Sequence, residues 1–143
     1  MSRALEIRSF GPGDTQAVLE LWGLCGLVRP SNDPAKDIAR KLRVRGDLLL
    51  VGLSEGKVVA TAMAGYEGHR GWINYLAVSP QHRKRGVGRR MMEAAEGRLR
   101  AEGCPKVNLQ VRASNPEAVA FYKAIGFVQD EVLSFGKRLE HDS

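Results

Sequence analysis

The stretch that decides the fold of this chain is residues 78–89, which read Val-Ser-Pro-Gln-His-Arg-Lys-Arg-Gly-Val-Gly-Arg. A predicted strand, residues 72–78, precedes it, and a helical period follows from Gly88 to Glu102. The free backbone N–H groups and positive dipole end of a helix start bind phosphate, and glycine lets the backbone approach closely. The stretch therefore predicts a pyrophosphate cradle or, on a less specific interpretation, a basic surface turn.

Two other phosphate-binding motifs do not fit these residues. A P-loop needs Gly-Lys followed by Ser or Thr, which this stretch lacks. A dinucleotide-binding fingerprint needs a third glycine, and here it is missing after Gly88. The strand before the stretch also lies in an order typical of antiparallel pairing. Neither alternative is therefore favoured.

The positive charge of the chain is concentrated in the same place. The formal net charge is +6, and residues 82–90 contain five Lys or Arg residues and no acid. Without those five, 17 basic residues face 16 acidic ones. Such a segment binds an anion or forms a solvated face. A nucleic-acid-binding module is an alternative, but aromatic residues are only 6% of the chain and none lies within the segment. We therefore expect no nucleic acid as a partner.

Outward from this stretch, the pattern mixes strands and helices in the order β-α-α-β-β-β-α-β-α-β-β. The fold class is therefore α/β (α+β), with helices on the faces of a mixed sheet. Three residues are predicted helix N-caps, namely Asp14, Asp33 and Asn115. The predicted strands are a short one around Leu5 and Ile7, then residues 47–53, 58–66, 72–78 and 107–111, and a final hairpin of 127–132 with 133–139.

The composition is typical of an ordinary globular protein. The chain has 143 residues, 43% of them hydrophobic, and we expect residues 1–143 to form a single domain. No apolar run approaches the ~20 residues that span a bilayer, so no membrane partner is expected. The first ten residues carry charges rather than an apolar signal core, which favours a cytoplasmic protein. In that compartment Cys25 and Cys104 are expected to be reduced.

Metal chemistry finds no support in the sequence. The three histidines, His69, His82 and His141, are scattered, and no Cys/His pair has zinc spacing. We therefore expect no metal.

Two segments together resemble the GNAT superfamily of N-acetyltransferases. Arg83-x-x-Gly86-x-Gly88 resembles the acetyl-CoA loop of that family. Residues 109–127 are similar to its second CoA-side segment, especially in enzymes that acetylate ribosomal-protein N-termini. They run Leu109-Gln-Val-Arg-Ala-Ser-Asn115, Ala118, Phe121-Tyr122 and Ile125-Gly126-Phe127. The resemblance implies a mostly antiparallel central sheet flanked by about four helices.

The resemblance also implies an activity: transfer of an acetyl group from acetyl-CoA to a primary amine by direct attack, through a tetrahedral intermediate. Tyr122 would lie near the CoA sulfur as the catalytic acid, and Asn115 would contact the CoA side of the site. Main-chain N–H groups would wrap the pyrophosphate. The cofactor-binding residues implied are Leu76, Ala77 and Val78 on the pantetheine strand and Arg83, Lys84, Arg85, Gly86, Val87, Gly88 and Arg89 in the loop.

One position departs from the family pattern. Relatives that acetylate protein N-termini carry a glutamate base where this chain has Gln110, which cannot take a proton. Glu67 and His69 are alternative bases, although a solvated loop is the simpler interpretation for both. A domain that binds CoA as a sensor, without turnover, is therefore a second candidate. The family also allows a homodimer through its C-terminal strands.

The acceptor side is expected to come from the first two helices and the C-terminal hairpin. Trp22 belongs to the apolar stripe of the first helix. The polar loop Arg29-Pro-Ser-Asn-Asp-Pro34 is the kind of segment that carries specificity. Nothing in the sequence identifies the acceptor amine.

Overall fold

A computed structural model describes residues 4–142 of the chain. Five strands form one sheet in the order β1-β2-β3-β4-β5. The first four strands are antiparallel neighbours, and β5 pairs with β4 in parallel. The strands are β1 Glu6–Ser9, β2 Leu49–Ser54, β3 Lys57–Tyr66, β4 Gly71–Val78 and β5 Val107–Leu109, and the helices are α1 Thr15–Leu24, α2 Pro34–Arg45, α3 Val87–Ala101 and α4 Pro116–Ala124. The predicted mostly antiparallel sheet with four helices is confirmed.

The two faces of the sheet carry separate cores. Strand residues alternate between the faces, so β2 sends Leu50 to one side and Leu49 and Val51 to the other. Helices α1 and α2 cover one face, with Trp22 fully buried, as the apolar stripe predicts. Helices α3 and α4 cover the other face, where α3 buries Met91, Met92, Ala95 and Leu99.

The predicted N-caps have different outcomes. Asp33 caps α2 by accepting from the backbone N–H of Ala35 and Lys36, and Asn115 caps α4. Asp14 occupies the predicted N-cap position of α1, but its side chain makes no capping bond to that helix. Its carboxylate instead accepts both guanidinium donors of Arg8, at 2.7 and 3.1 Å. Asp14 Oδ2 also accepts from the backbone N–H of Gly11 at 2.8 Å, so the carboxylate is engaged by residues that precede α1.

The predicted C-terminal hairpin is wrong. Within residues 4–142, no strand follows β5. Residues 127–139 are held to the sheet by side chains instead, such as the bond from Asn108 Nδ2 to Asp130 at 2.8 Å. The apolar residues that suggested strands stay exposed, including Phe135 at 89% and Leu139 at 93%. Because the segment buries so little apolar surface, alternation alone does not make it a strand.

Candidate functional site

The site is built around two strands that separate. β4 and β5 pair only from Gly71–Val107 to Ile73–Leu109. The prediction of a strand through residue 111 is therefore two residues too long, because β4 is no longer beside the chain there. A cleft of about 1420 Å³ opens at this point. Its walls include Trp72 and Asn74 of β4, residues 107–113 and Tyr122.

A bulge distorts β4 beside this cleft. The register changes between the Thr61–Ala77 and Met63–Asn74 pairs, so β4 holds one residue more than β3. Tyr75 lies in the bulge with a left-handed φ of 51°. A bulge leaves its extra residue outside the regular ladder. The regular pairing of β4 with β3 is therefore interrupted at Tyr75 and Leu76, directly after Asn74 of the cleft wall.

The three predicted pantetheine-strand residues follow the bulge. Ala77 is buried against the α1–α2 side, and Leu76 and Val78 pack against the α3–α4 side. The carbonyl of Val78 accepts from Cys25 Sγ at 3.3 Å and from Arg83 Nε at 3.1 Å. The Arg83 side chain is thus directed back onto its own strand.

The loop between β4 and α3 turns sharply at two left-handed residues, Lys84 with φ 63° and Gly86 with φ 78°. Gly86 is the N-cap of α3, and a Cβ built there would meet no atom within 4 Å. Alternating right- and left-handed residues can turn successive N–H groups into one concave anion site. Lys84, Arg85 and Arg89 are exposed around this turn, while Val87 and Gly88 begin the helix half-buried. Such a turn, with three cations around it, is suited to binding an anion.

Gly88 also has a packing role, which its place in the loop motif did not predict. A Cβ built on Gly88 would lie 3.3 Å from Cζ of Phe121 and 3.6 Å from Val78 Cγ2. The glycine therefore lets α4 pack directly on the start of α3. This contact fixes the position of Tyr122, the residue after Phe121, relative to the basic loop.

Tyr122 lines the cleft from α4 and is held by aromatic neighbours. Its ring packs edge-on against Phe121 and Phe127, with centroids 5.1 and 5.7 Å away. Burial raises the pKa of its phenol to about 12. Among residues 4–142, no group forms a hydrogen bond with its hydroxyl. Tyr122 is therefore a protonated donor at neutral pH that faces the cleft.

The predicted alternative bases lie elsewhere. Glu67 Oε1 accepts from the backbone N–H of His69 at 2.8 Å and of Arg70 at 2.5 Å, closing the β3–β4 loop. The bonds from Arg70 and then His69 lower the pKa of its carboxyl. Neither Glu67 nor His69 lines the cleft. Gln110 does line it, and its amide Nε2 donates to Ser134 Oγ.

A polar cluster on the α1–α2 side was not predicted from the sequence. The Tyr75 hydroxyl accepts from Asn32 Nδ2 and donates to Asp37 Oδ2, both at 2.6 Å. Arg40, beside Asp37, binds the carboxylate of Asp142 at 2.7 and 3.0 Å. The C-terminal residues are thereby fastened to α2. These partners are too far apart in sequence for local patterns to predict them.

Both cysteines are free thiols, and no helix among residues 4–142 has the length and apolar character to cross a bilayer. The same residues contain no group of three or more His, Cys, Asp or Glu side chains arranged to hold a metal ion.

Comparison with known proteins identifies the family of this chain. Residues 15–127 match the model of the acetyltransferase (GNAT) family. An acetyltransferase of Sodalis glossinidius (strain morsitans) is 45% identical over 139 residues, covering 96% of this chain and 98% of its own. An acetyltransferase of Pectobacterium atrosepticum is 42% identical over 138 residues, with 96% and 98% covered. The curated relatives are named only as acetyltransferases, so the likeness to ribosomal-protein enzymes is not confirmed.

A solved structure shows the same fold. The aminoglycoside N-acetyltransferase AAC(6')-Iy in complex with CoA superimposes with a TM-score of 0.75, covering 97% of each chain, at 18% identity. At that identity the likeness concerns the fold. Together with the family match, the splayed strands and the basic loop, it leads to one conclusion: the chain belongs to the GNAT family and is an acetyltransferase.

Proposed function

We propose that this protein transfers the acetyl group of acetyl-CoA to a primary amine by direct attack on the thioester. The observation that carries the proposal is the contact of Gly88 with Phe121, since it joins the basic loop to the helix bearing Tyr122. A ligand gripped at the loop can therefore present its thioester near the tyrosine. Holding amine and thioester together contributes much of the rate enhancement in such reactions.

The loop would hold the diphosphate. Its left-handed residues Lys84 and Gly86 support a turn of main-chain N–H donors at the α3 N-terminus. The exposed cations Lys84, Arg85 and Arg89 add favourable charge, and Asn115 would contact the coenzyme from the start of α4. This use of the basic segment replaces nucleic-acid binding, and negligible binding to random DNA at physiological salt would agree with it.

The bulged strand would hold the reacting carbonyl. The backbone of Leu76, Ala77 and Val78 pairs with the pantetheine arm in this proposal, and an N–H of the bulge donates to the thioester oxygen. When an amine attacks, negative charge develops on that oxygen. One fixed donor aimed at such an oxygen can contribute about 3–4 kcal/mol to the barrier reduction.

Tyr122 would protonate the leaving group. The sulfur leaves as a thiolate, and because a thiol has an ordinary pKa of about 8.5, it takes up one proton at neutral pH; Tyr122 would supply that proton and regain one from water. The phenol of Tyr122 retains its proton, because burial raises its pKa to about 12. Tyr122 is a lining residue of the cleft, and its hydroxyl would be available to the sulfur.

The proton of the amine would pass to water. Gln110 cannot accept it, and the Glu67 carboxylate is engaged by two backbone N–H groups. The proposal therefore includes no glutamate base at either position. The turnover rate should then follow the ionisation of the acceptor amine itself.

The decisive experiment combines binding and turnover. Calorimetry should detect acetyl-CoA binding, and a free-thiol assay should detect CoA release with a member of a panel of amines, polyamines, amino acids and peptide N-termini. Absence of acetyl-CoA affinity in the folded chain contradicts the whole proposal. Binding without CoA release across the panel would indicate the sensor instead.

The proposal also includes a reducing, cytoplasmic setting and a homodimer. The two free thiols suit that compartment. The exposed side chains of Val132, Leu133 and Phe135 offer apolar surface for a second copy. Light scattering of the wild type and of Phe135→Asp tests the dimer, since a monomeric wild type contradicts it.

A further inference from the structure

Thr61 is a polar residue in the apolar core. It lies in β3 and is fully buried, with 0% of its surface exposed. Its hydroxyl oxygen is 2.9 Å from Trp22 Nε1 and 2.8 Å from the backbone carbonyl oxygen of Tyr75. An indole N–H can only donate and a carbonyl can only accept, so the hydroxyl proton must point to Tyr75. Both hydrogen bonds thus have a fixed direction.

The carbonyl that Thr61 holds belongs to the strained residue of the bulge. Tyr75 has a φ of 51°, which is costly for a residue with a Cβ. Such conformations persist where surrounding contacts impose them. The Tyr75 ring stacks on Trp22 with centroids 3.8 Å apart, and its hydroxyl bonds Asn32 and Asp37. Among these contacts, the Thr61 bond is the one that acts on the backbone.

The geometry of the peptide bond determines which way the Leu76 N–H points. The Tyr75 carbonyl and the Leu76 N–H belong to one planar trans peptide and point in opposite directions. Thr61 draws the carbonyl toward β3, so the Leu76 N–H points away from β3. On that other side of β4, the pairing with β5 ends at Ile73, so within residues 4–142 no strand pairs with β4 at Leu76.

We propose that Thr61 is a positioning residue, whose hydroxyl orients the Tyr75–Leu76 peptide so that the Leu76 N–H faces the thioester carbonyl. The inference rests on the proposed acetyl transfer and identifies one side chain that prepares it. Trp22 completes the arrangement, because its indole N–H occupies the acceptor side of the hydroxyl and leaves the proton for Tyr75.

The test measures the polarisation of the acetyl carbonyl in bound acetyl-CoA and does not need the acceptor amine. Acetyl-CoA labelled with ¹³C at the carbonyl is bound to the protein, and its infrared stretch is compared with that of the free compound. We expect the wild type to lower the frequency, Thr61→Ser to retain the shift, and Thr61→Val to lose at least half of it. Affinity for CoA lacking the acetyl group should stay within about threefold. Tyr66→Phe, which removes a hydroxyl bonded to the Gly68 carbonyl outside the cleft, should behave as the wild type.

The outcomes separate the two proposals. No acetyl-CoA binding by the wild type contradicts the proposed function, whatever Thr61 does. A wild-type shift that survives in Thr61→Val, or that is lost equally in Thr61→Ser, overturns the role of the hydroxyl. If circular dichroism shows Thr61→Val to be unfolded, Thr61→Ala replaces it. A measurement on the wild type alone also decides: the Leu76 amide proton resonance must move further with acetyl-CoA than with CoA, and equal shifts overturn the inference.

Discussion

Gly88 and Phe121 are in direct contact, and a Cβ on the glycine would lie 3.3 Å from the phenylalanine ring. Gly88→Ala should therefore push α4 away from α3. We expect a loss of about 1–3 kcal/mol in the free energy of unfolding, as overpacking typically costs, and lower turnover because Tyr122 moves with Phe121. Thermal denaturation and the thiol-release assay measure both.

Gly97→Ala is the matched control on the same helix. A Cβ at Gly97 meets no atom within 4 Å, so the change should stabilise the helix by about 0.5–1 kcal/mol. Equal losses in both variants would show that the contact with Phe121 is unimportant.

Gly86→Ala should weaken acetyl-CoA binding through conformation rather than through a clash. Its φ of 78° suits glycine, and a Cβ at this position would have no neighbour within 4 Å. A left-handed alanine costs about 1–2 kcal/mol, so affinity should fall roughly tenfold as the turn relaxes. Calorimetry measures the change, and Gly13→Ala, which has neither a close neighbour nor a left-handed φ, should bind normally. Unchanged acetyl-CoA affinity in Gly86→Ala would show that the left-handed turn does not contribute to binding of the diphosphate.

Tyr122→Phe should bind acetyl-CoA normally and turn over roughly 10²-fold more slowly, because the leaving sulfur loses its proton donor. Steady-state thiol release, with chemistry rate-limiting, measures the effect. Tyr66→Phe is the control, since that hydroxyl donates to the Gly68 carbonyl outside the cleft. Wild-type turnover in Tyr122→Phe would exclude the acid role.

Glu67→Gln should leave turnover within about twofold, whereas loss of a true general base costs about 10²–10⁴-fold. The glutamine oxygen can still accept from His69 and Arg70, so the loop is preserved. The pH–rate profile of this variant should match that of the wild type. A large drop with normal acetyl-CoA affinity would restore Glu67 as the base.

Asp142 should make the stability of the protein depend on pH in the acidic range. Its bond to Arg40 lowers the pKa of the carboxyl from 3.8 to about 2. A lowered pKa means that the folded state favours the charged form, so the stabilisation is complete above pH 3.8 and is lost as the pH falls through about 2. The Tm difference between wild type and Asp142→Asn should therefore be positive at pH 6 and shrink toward zero near pH 2. Glu20→Gln, an exposed carboxylate, should show little difference, and a constant gap for Asp142→Asn would contradict the pairing.

Local signals explain why the strands, helices and basic loop could be predicted. The glycines and cations of residues 83–89 lie between a strand and a helix that their own periodicity reveals. Asp33 and Asn115 cap the helices that follow them, because a cap bonds only residues two or three positions away. Asp14 holds the N-cap position of α1, but its carboxylate bonds Arg8 and the Gly11 N–H, which precede the helix.

The sequence alone determined the order of the elements, the place of the basic turn before α3 and the presence of Tyr122 on α4, since each depends on neighbours within a few turns of chain. Tertiary structure alone decided where β4 parts from β5, that residues 127–139 form no hairpin, and that Trp22 and Tyr75 meet at Thr61 from 39 and 14 positions away. Those features arise from register and burial between distant segments, and only the packed sheet brings such segments together.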